Sequence, residues 1–334
     1  MNNSLNRSAA GQRANAGCKG GVVTRSRSRG GARFSGAAIL VLTMAFSQPC
    51  GAWENQGHMA TGEVAYDQLS KTDPGAVRTI MQMAGALPYR TLMDAALKGT
   101  TGPVRDRLTF AYLARWPDDI RKTPLDRPAD HYRLRIVSDI GSILPLHFGN
   151  ANVAYQLNLA TLQNTHASAR DRAIAVAWVM HIVGDIHQPL HAGTWLSWQF
   201  PLTDRGGTIA YVRPSARGEP MSLHKFWDRI PSRDGPDQAG ADAIGSQIQK
   251  QFPRWRLPEL RQHSGDFASW TEESAALARK VVYMDGAFEG SSNPQQGSVL
   301  PRAYAANAKF LSERLLALAG YRLADVLAQS LGQH

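Results

Sequence analysis

The run His181-Ile-Val-Gly-Asp185-Ile-His187-Gln-Pro-Leu-His191 sets His181, Asp185 and His191 at offsets 0, 4 and 10 beside a proline. If residues 171 to 187 are helical, His181 and Asp185 lie one turn apart on one face and reach the same ion. Pro189 has no backbone N–H and restricts Gln188, so the helix ends there and carries His191 toward a different point. The chemistry open to such a set is metal binding, with one segment serving two neighbouring ions. His187 points off the His181/Asp185 face and reads as a supporting or packing group.

Taken alone, such a run is more often a core histidine followed by a turn. The rest of the chain argues otherwise. Of its ten histidines, five stand where ligands would. His58 follows Trp53-x3-Gly57. His131 lies downstream of Trp116-Pro117-Asp118-Asp119-Ile120-Arg121. His181 and His191 flank Asp185, and His224 with Asp228 repeats the one-turn His/Asp spacing. His147 is the rival to His131. Asp119 reads as a supporting carboxylate or a helix cap, while His166, His263 and His334 read as solvated or packing residues. Imidazole and carboxylate at these spacings suit zinc, with positions left for water or a substrate oxygen.

The elements that must hold these groups are helical. Ala60, Val64, Ala65 and Leu69 form an apolar stripe over residues 59 to 71; Val153, Leu157 and Leu159 form another over 151 to 162. The stretch 173 to 183 is apolar nearly all round, as a central buried helix would be. Further helices are expected at 240 to 252, 267 to 285 and 302 to 330, the last with Phe310, Leu311, Leu315, Leu318 and Leu327. Strand signal is confined to Thr208 to Val212 after the turn Asp204-Arg205-Gly206-Gly207, a small β-ribbon near 204–213. Residues 286 to 300 read as a surface loop. The fold class is therefore all-α, one mainly helical domain.

Residues 1 to 36 hold seven basic and no acidic side chains, and the apolar run 37 to 46 is too short to span a membrane. With Cys50-Gly51-Ala52 at a cleavage position, residues 1–52 read as a long secretory signal peptide, leaving 53–334 as the mature, secreted or periplasmic domain. Its removal lowers the net charge from +10 to +3, since 30 basic residues then face 27 acidic ones. The high isoelectric point is thus weak support for a nucleic-acid surface. Both cysteines, Cys18 and Cys50, leave with the signal, so the mature chain has no thiolate ligands or disulfides. The residues before Cys50 are a poor lipoprotein signal, and consecutive arginines are absent.

These residues together resemble the S1/P1 nuclease family of zinc-dependent phosphodiesterases, and the chain is identified as a bacterial member. The resemblance spans the mature chain. It runs through Trp53-x3-Gly57-His58, Trp116-x-Asp118, His131-Tyr132, Gly184-Asp185-x2-Gln188-Pro189-Leu190-His191, Asp204-Arg205-Gly206-Gly207, Leu223-His224-x3-Asp228, Trp270-x2-Glu273-Ser274 and Ala319-Gly320-Tyr321-Arg322-Leu323-Ala324.

The resemblance implies the fold of zinc phospholipase C and P1 nuclease, and a three-zinc site. Asp118, His131, His181 and Asp185 would hold the first ion; His191, His224 and Asp228 the second. The third would take the free amine and carbonyl of Trp53, His58 and a shared Asp185. Arg121 would contact phosphate, and Asp118 would also orient the nucleophile. The implied substrates are single-stranded DNA and RNA, with 3′-nucleotidase action on nucleotides. No stable protein partner or membrane span is implied, and a monomer is expected.

Two alternatives stand beside this reading: a zinc phospholipase C-like phosphodiesterase, which would usually complete the second ion with Glu rather than Asp228, and a non-catalytic exported zinc-binding protein. Extra residues around 84 to 108, Leu134 after Tyr132-Arg133, and Ser222 before Leu223-His224 depart from the family pattern. Trp195 and Trp198 either stack on bases or pack on the protein.

Overall fold

The computed structural model describes residues 53–262 and 265–332. The signal-peptide reading of residues 1–52, with both cysteines, and the readings of His263 and His334 lie outside the described residues.

The chain is mainly helical, as its periodicity requires. It opens with α1 (Asn55–Thr72), α2 (Pro74–Ala84), α3 (Thr91–Leu97) and α4 (Gly102–Asp119), so the extra residues near 84 to 108 supply the short α3 and the start of α4. Then follow α5 (Ala151–Gln163), α6 (Ala169–Ile186), the one-turn α7 (Pro189–Ala192) and α8 (Leu223–Arg229). The last are α9 (Asp237–Gln251), α10 (Glu259–Gln262), α11 (Phe267–Leu277) and α12 (Tyr304–Leu331). Among the described residues no helix is long and apolar enough to cross a membrane.

α6 is the axis of the core. Ser168 caps its start by accepting from Asp171 N, and every residue from Ala173 to Ile186 is buried. α1, α2, α4, α5 and α12 pack around it. Pro189 starts α7, and the Gln188 side chain caps it by accepting from Leu190 N at 2.6 Å. A second apolar cluster joins Trp53, Ala60 and Val64 to α9 and α12 through Ile244, Ile248, Leu315 and Leu316.

Two expected stripes turn partly outward. In α5 the buried face is Ala154, Tyr155, Asn158 and Leu162, while Val153 and Leu157 are exposed. In α12 Phe310 is exposed, although Leu315, Leu318 and Leu327 are buried. Apolar spacing marks a helix but does not choose between two such faces. The helix expected over 267 to 285 ends at Leu277, where a π-turn (Ala278–Val282) leads to Met284 and Asp285 at φ 51° and 53°. This exit buries Tyr283, whose hydroxyl donates to Asp204 at 2.7 Å.

Two small three-stranded sheets complete the fold. β1 (Leu134–Ile136) pairs antiparallel with β2 (His147–Phe148) and parallel with β3 (Gly193–Thr194). β4 (Tyr211–Arg213) pairs antiparallel with β5 (Met221–Ser222) and parallel with β6 (Ser298–Val299). The ribbon expected near 204–213 is therefore one strand of a sheet, with residues 204 to 209 in the turn before it, and the 286–300 loop lends it β6.

Candidate metal centre

α6 presents His181 and Asp185 one turn apart, both fully buried. His131, ending the 3₁₀ turn Pro128–His131, brings Nδ1 to 3.0 Å from Asp185 Oδ2 and 2.9 Å from His181 Nε2. From α1, His58 stacks on the His181 ring at 3.9 Å and sets Nε2 3.3 Å from Asp185 Oδ1. Asp118, in the last turn of α4, places its oxygens 3.8 Å from His181 Nε2 and 4.0 Å from His58 Nε2. Asp185 therefore meets three imidazoles with its two oxygens.

Beside this group α7 and α8 assemble a second. His191 Nε2 lies 3.2 Å from His224 Nε2, which is 3.5 Å from Asp228 Oδ2. The other Asp228 oxygen accepts from Gln188 Nε2 at 2.7 Å. Among the described residues, donor atoms gather within 4.8 Å of one another in three sets: His58/His181/Asp185, Asp118/His131/His181 and His191/His224/Asp228.

The tautomers decide what these sets can hold. His181, His191 and His224 each direct Nδ1 at a backbone carbonyl, of Ala114, His131 and Gly206, at 2.8, 2.7 and 2.7 Å. A carbonyl only accepts, so Nδ1 carries the hydrogen and Nε2 offers a lone pair. His191 and His224 thus aim lone pairs at each other, and the His181 lone pair faces His131 Nδ1 at 2.9 Å with Asp185 Oδ2 at 3.3 Å. Both nitrogens of His58, Nε2 of His131 and Oδ1 of Asp185 are buried without a hydrogen-bond partner. Cations relieve all of these at once, and nitrogen and oxygen donors with carbonyl-fixed rings are what zinc takes.

Electrostatics agree. Burial, then neighbouring imidazoles, hold His58, His131 and His191 well below the ordinary histidine range, and burial brings His181 down to about 4. The rings are neutral, as coordination requires. Burial, followed by the Asp118 charge, pushes the Asp185 carboxyl well up, and burial does the same to Asp228. Nearby positive charge would reverse both.

Comparison with known proteins fits this geometry. The S1/P1 Nuclease family profile matches residues 53–332. The chain belongs to the S1/P1 nuclease family. Endonuclease 3 of Arabidopsis thaliana is 23% identical over 320 residues, covering 87% of this chain and 92% of that protein. Endonuclease 4 of the same plant is 23% identical over 334 residues, covering 87% and 93%. Membership in the S1/P1 nuclease family and the likeness to two endonucleases support a nuclease.

Within this S1/P1 nuclease segment the structure brings together eight of the nine residues expected as metal ligands through their side chains, and seats the ninth beside them. Trp53 is buried, its indole donates to Gly184 O at 3.1 Å, and Glu54 N donates to Asp228 O at 3.2 Å. Its backbone thus runs between α6 and α8. Arg121 sets Nη2 2.6 Å from Asp118 Oδ1 at the edge of the cluster. His147 lies in β2, exposed and away from all three sets, and His166 is exposed in a turn. Asp119 pairs with Arg115 rather than with a ligand. His187 has protein partners on both nitrogens, Val183 O and Arg322 Nη1.

Three supports stood in the sequence only as motif residues, without an assigned role. Tyr132 stacks on His191 at 4.4 Å. Asp204, fully buried, accepts from Thr194 Oγ1, Trp195 N and Tyr283. It anchors the loop in which Arg205, Gly206 and Gly207 all have positive φ and Gly206 O fixes His224. The paired glycines were the available signal for a backbone carbonyl in this role.

Proposed function

We propose that the chain is a zinc-dependent endonuclease of bacterial origin that hydrolyses phosphodiester bonds of single-stranded DNA and RNA to 5′-phosphate products, with 3′-nucleotidase action at the same site. The lone pairs of His191 Nε2 and His224 Nε2, facing each other at 3.2 Å, carry this reading, because only a cation makes that arrangement favourable. Asp118, His131, His181 and Asp185 hold one zinc, His191, His224 and Asp228 a second, and Trp53, His58 and Asp185 a third. Bound there, the ions supply Lewis-acid chemistry, activating water and stabilising charge on the phosphoryl and leaving oxygens.

The chain's own residues do the rest. Arg121, held against Asp118 at 2.6 Å, keeps its guanidinium at the edge of the cluster, where it contacts the phosphate. Asp118, only partly buried, accepts a hydrogen bond from the attacking water and orients it. Cleavage of the signal after Ala52 frees the Trp53 amine, so the exported form, secreted or periplasmic and monomeric, is the one that completes the site.

The test compares protein beginning at Trp53 with protein carrying one extra N-terminal residue. About three zincs per chain with activity on single-stranded DNA and RNA are expected in the first, and loss of one zinc and of activity in the second. Equal zinc and activity in both would remove Trp53 from the ligand set. Near-normal zinc and activity in Asp185→Asn would overturn the whole assignment.

A further inference from the structure

Two sequence motifs have no part in the cluster itself, Trp270-x2-Glu273 and the Tyr321-Arg322 pair of α12. They converge behind it. Arg322 is 1% exposed and grips Glu273 with two parallel contacts, Nη1 to Oε2 at 2.7 Å and Nη2 to Oε1 at 3.0 Å. Its guanidinium lies 5.0 Å from the Trp270 ring centre. Nη1 also donates to His187 Nε2 at 3.0 Å, while His187 Nδ1 donates to Val183 O at 2.7 Å. The His187 ring is thereby fixed by the end of α6 on one side and by α12 on the other.

We propose that the Glu273–Arg322 pair is a positioning device for the metal centre, acting through His187 on the turn between α6 and α7. This turn carries Asp185 two residues before His187, Gln188 immediately after it and His191 four residues after it. Asp185 belongs to the first donor group and His191 to the second, and Gln188 holds Asp228. A rotation of the turn therefore displaces groups in both sets together.

With Arg322 buried and Glu273 a quarter exposed, the ion pair is a poor device for stability, because apolar residues of similar volume often do as well. What it supplies is direction: a guanidinium held flat by Glu273 and Trp270 turns its second Nη1 hydrogen toward His187. Such outer contacts orient ligands and sharpen metal affinity. The inference rests on the zinc reading of the cluster.

The experiment uses the zinc-loaded protein and the variants Glu273→Gln and His187→Gln. His187→Gln leaves the ion pair whole and replaces the rigid ring held between Arg322 and Val183 O with a flexible amide, which loosens its link to the turn. Zinc release to a chromophoric chelator is followed, with melting temperatures of the loaded and zinc-stripped forms and with kcat and KM on a single-stranded oligonucleotide. Both variants are expected to release zinc roughly 10- to 100-fold faster. The gap between loaded and stripped melting temperatures should narrow, and kcat should fall with KM little changed. Arg322→Lys, which keeps a donor but not the flat fork, should fall between them and wild type. If Glu273→Gln and His187→Gln lower both melting temperatures equally and hold zinc as wild type does, the pair is a structural strut and the proposal fails. If Glu273→Gln does not fold, His187→Gln decides alone. A wild-type protein that binds no zinc overturns the zinc reading first and this inference with it.

Discussion

His191 Nε2 and His224 Nε2 face each other across 3.2 Å while both rings spend their only hydrogen on a backbone carbonyl. Without a cation this contact is repulsive, so metal removal should cost the fold as well as the activity. Each ion held at about a thousand times its Kd contributes roughly 4 kcal/mol. Treating the protein with a chelator at neutral pH should therefore lower the melting temperature by at least about ten degrees, and added zinc should restore it. An unchanged melting curve would mean these nitrogens are not metal donors.

Gly184 lies between Asp185 and the His58 ring, and a Cβ there would sit 2.9 Å from His58 Nδ1. Alanine in mid-helix is ordinarily favoured over glycine by about 1 kcal/mol. Here the gain is opposed by displacement of a single ligand. Gly184→Ala is expected to fold, to lose about one zinc of three, and to lose activity by roughly tenfold or more. Full zinc content and full rate in this variant would show that His58 has room to move and is not a fixed ligand.

Four of the expected ligands were legible because helical spacing puts His181 over Asp185 and His224 over Asp228, whereas the full set came with the family resemblance. Long apolar periodicity likewise gave α1, α6 and α12. Three kinds of feature were not legible. Strands of two or three residues, such as β1 to β3, are too short to show alternation. Carbonyl partners, such as Ala114 O for His181 and Gly206 O for His224, carry no side-chain signature. The exposed Val153 and Leu157 share a helical repeat with the face that is buried, and only packing separates the two.

Trp195 and Trp198 were indistinguishable by sequence, and the fold separates them. Trp195 is buried against Tyr283, ring centres 5.0 Å apart, whereas Trp198 is fully exposed. Trp195→Ala should cost about 3–5 kcal/mol of stability, read by denaturant unfolding of the zinc-loaded protein. Trp198→Ala should leave stability within about 0.5 kcal/mol of wild type. A comparable loss in the second variant would contradict the placement of Trp198. The exposed ring is also the one free to stack on a base.

Glu63 gives a pH dependence that does not involve the cluster. It is 1% exposed on α1, 3.1 Å from Arg107, which also pairs with Asp67 and Asp242. Burial pushes its carboxyl from 4.5 up to about 8, against the opposing pull of Arg107. In this range the native state keeps a proton that the unfolded chain gives up. The stabilisation from that proton is full below pH 4.5 and is lost as pH rises through about 8. Glu63→Gln keeps the shape and removes the titration. In zinc-stripped protein, where the cluster's groups are common to both forms, the variant should gain on wild type between pH 5 and 8, by at most about 1.4 kcal/mol per pH unit. A stability difference that stays constant across that range would mean Glu63 is ionised in the fold, with Arg107 outweighing burial.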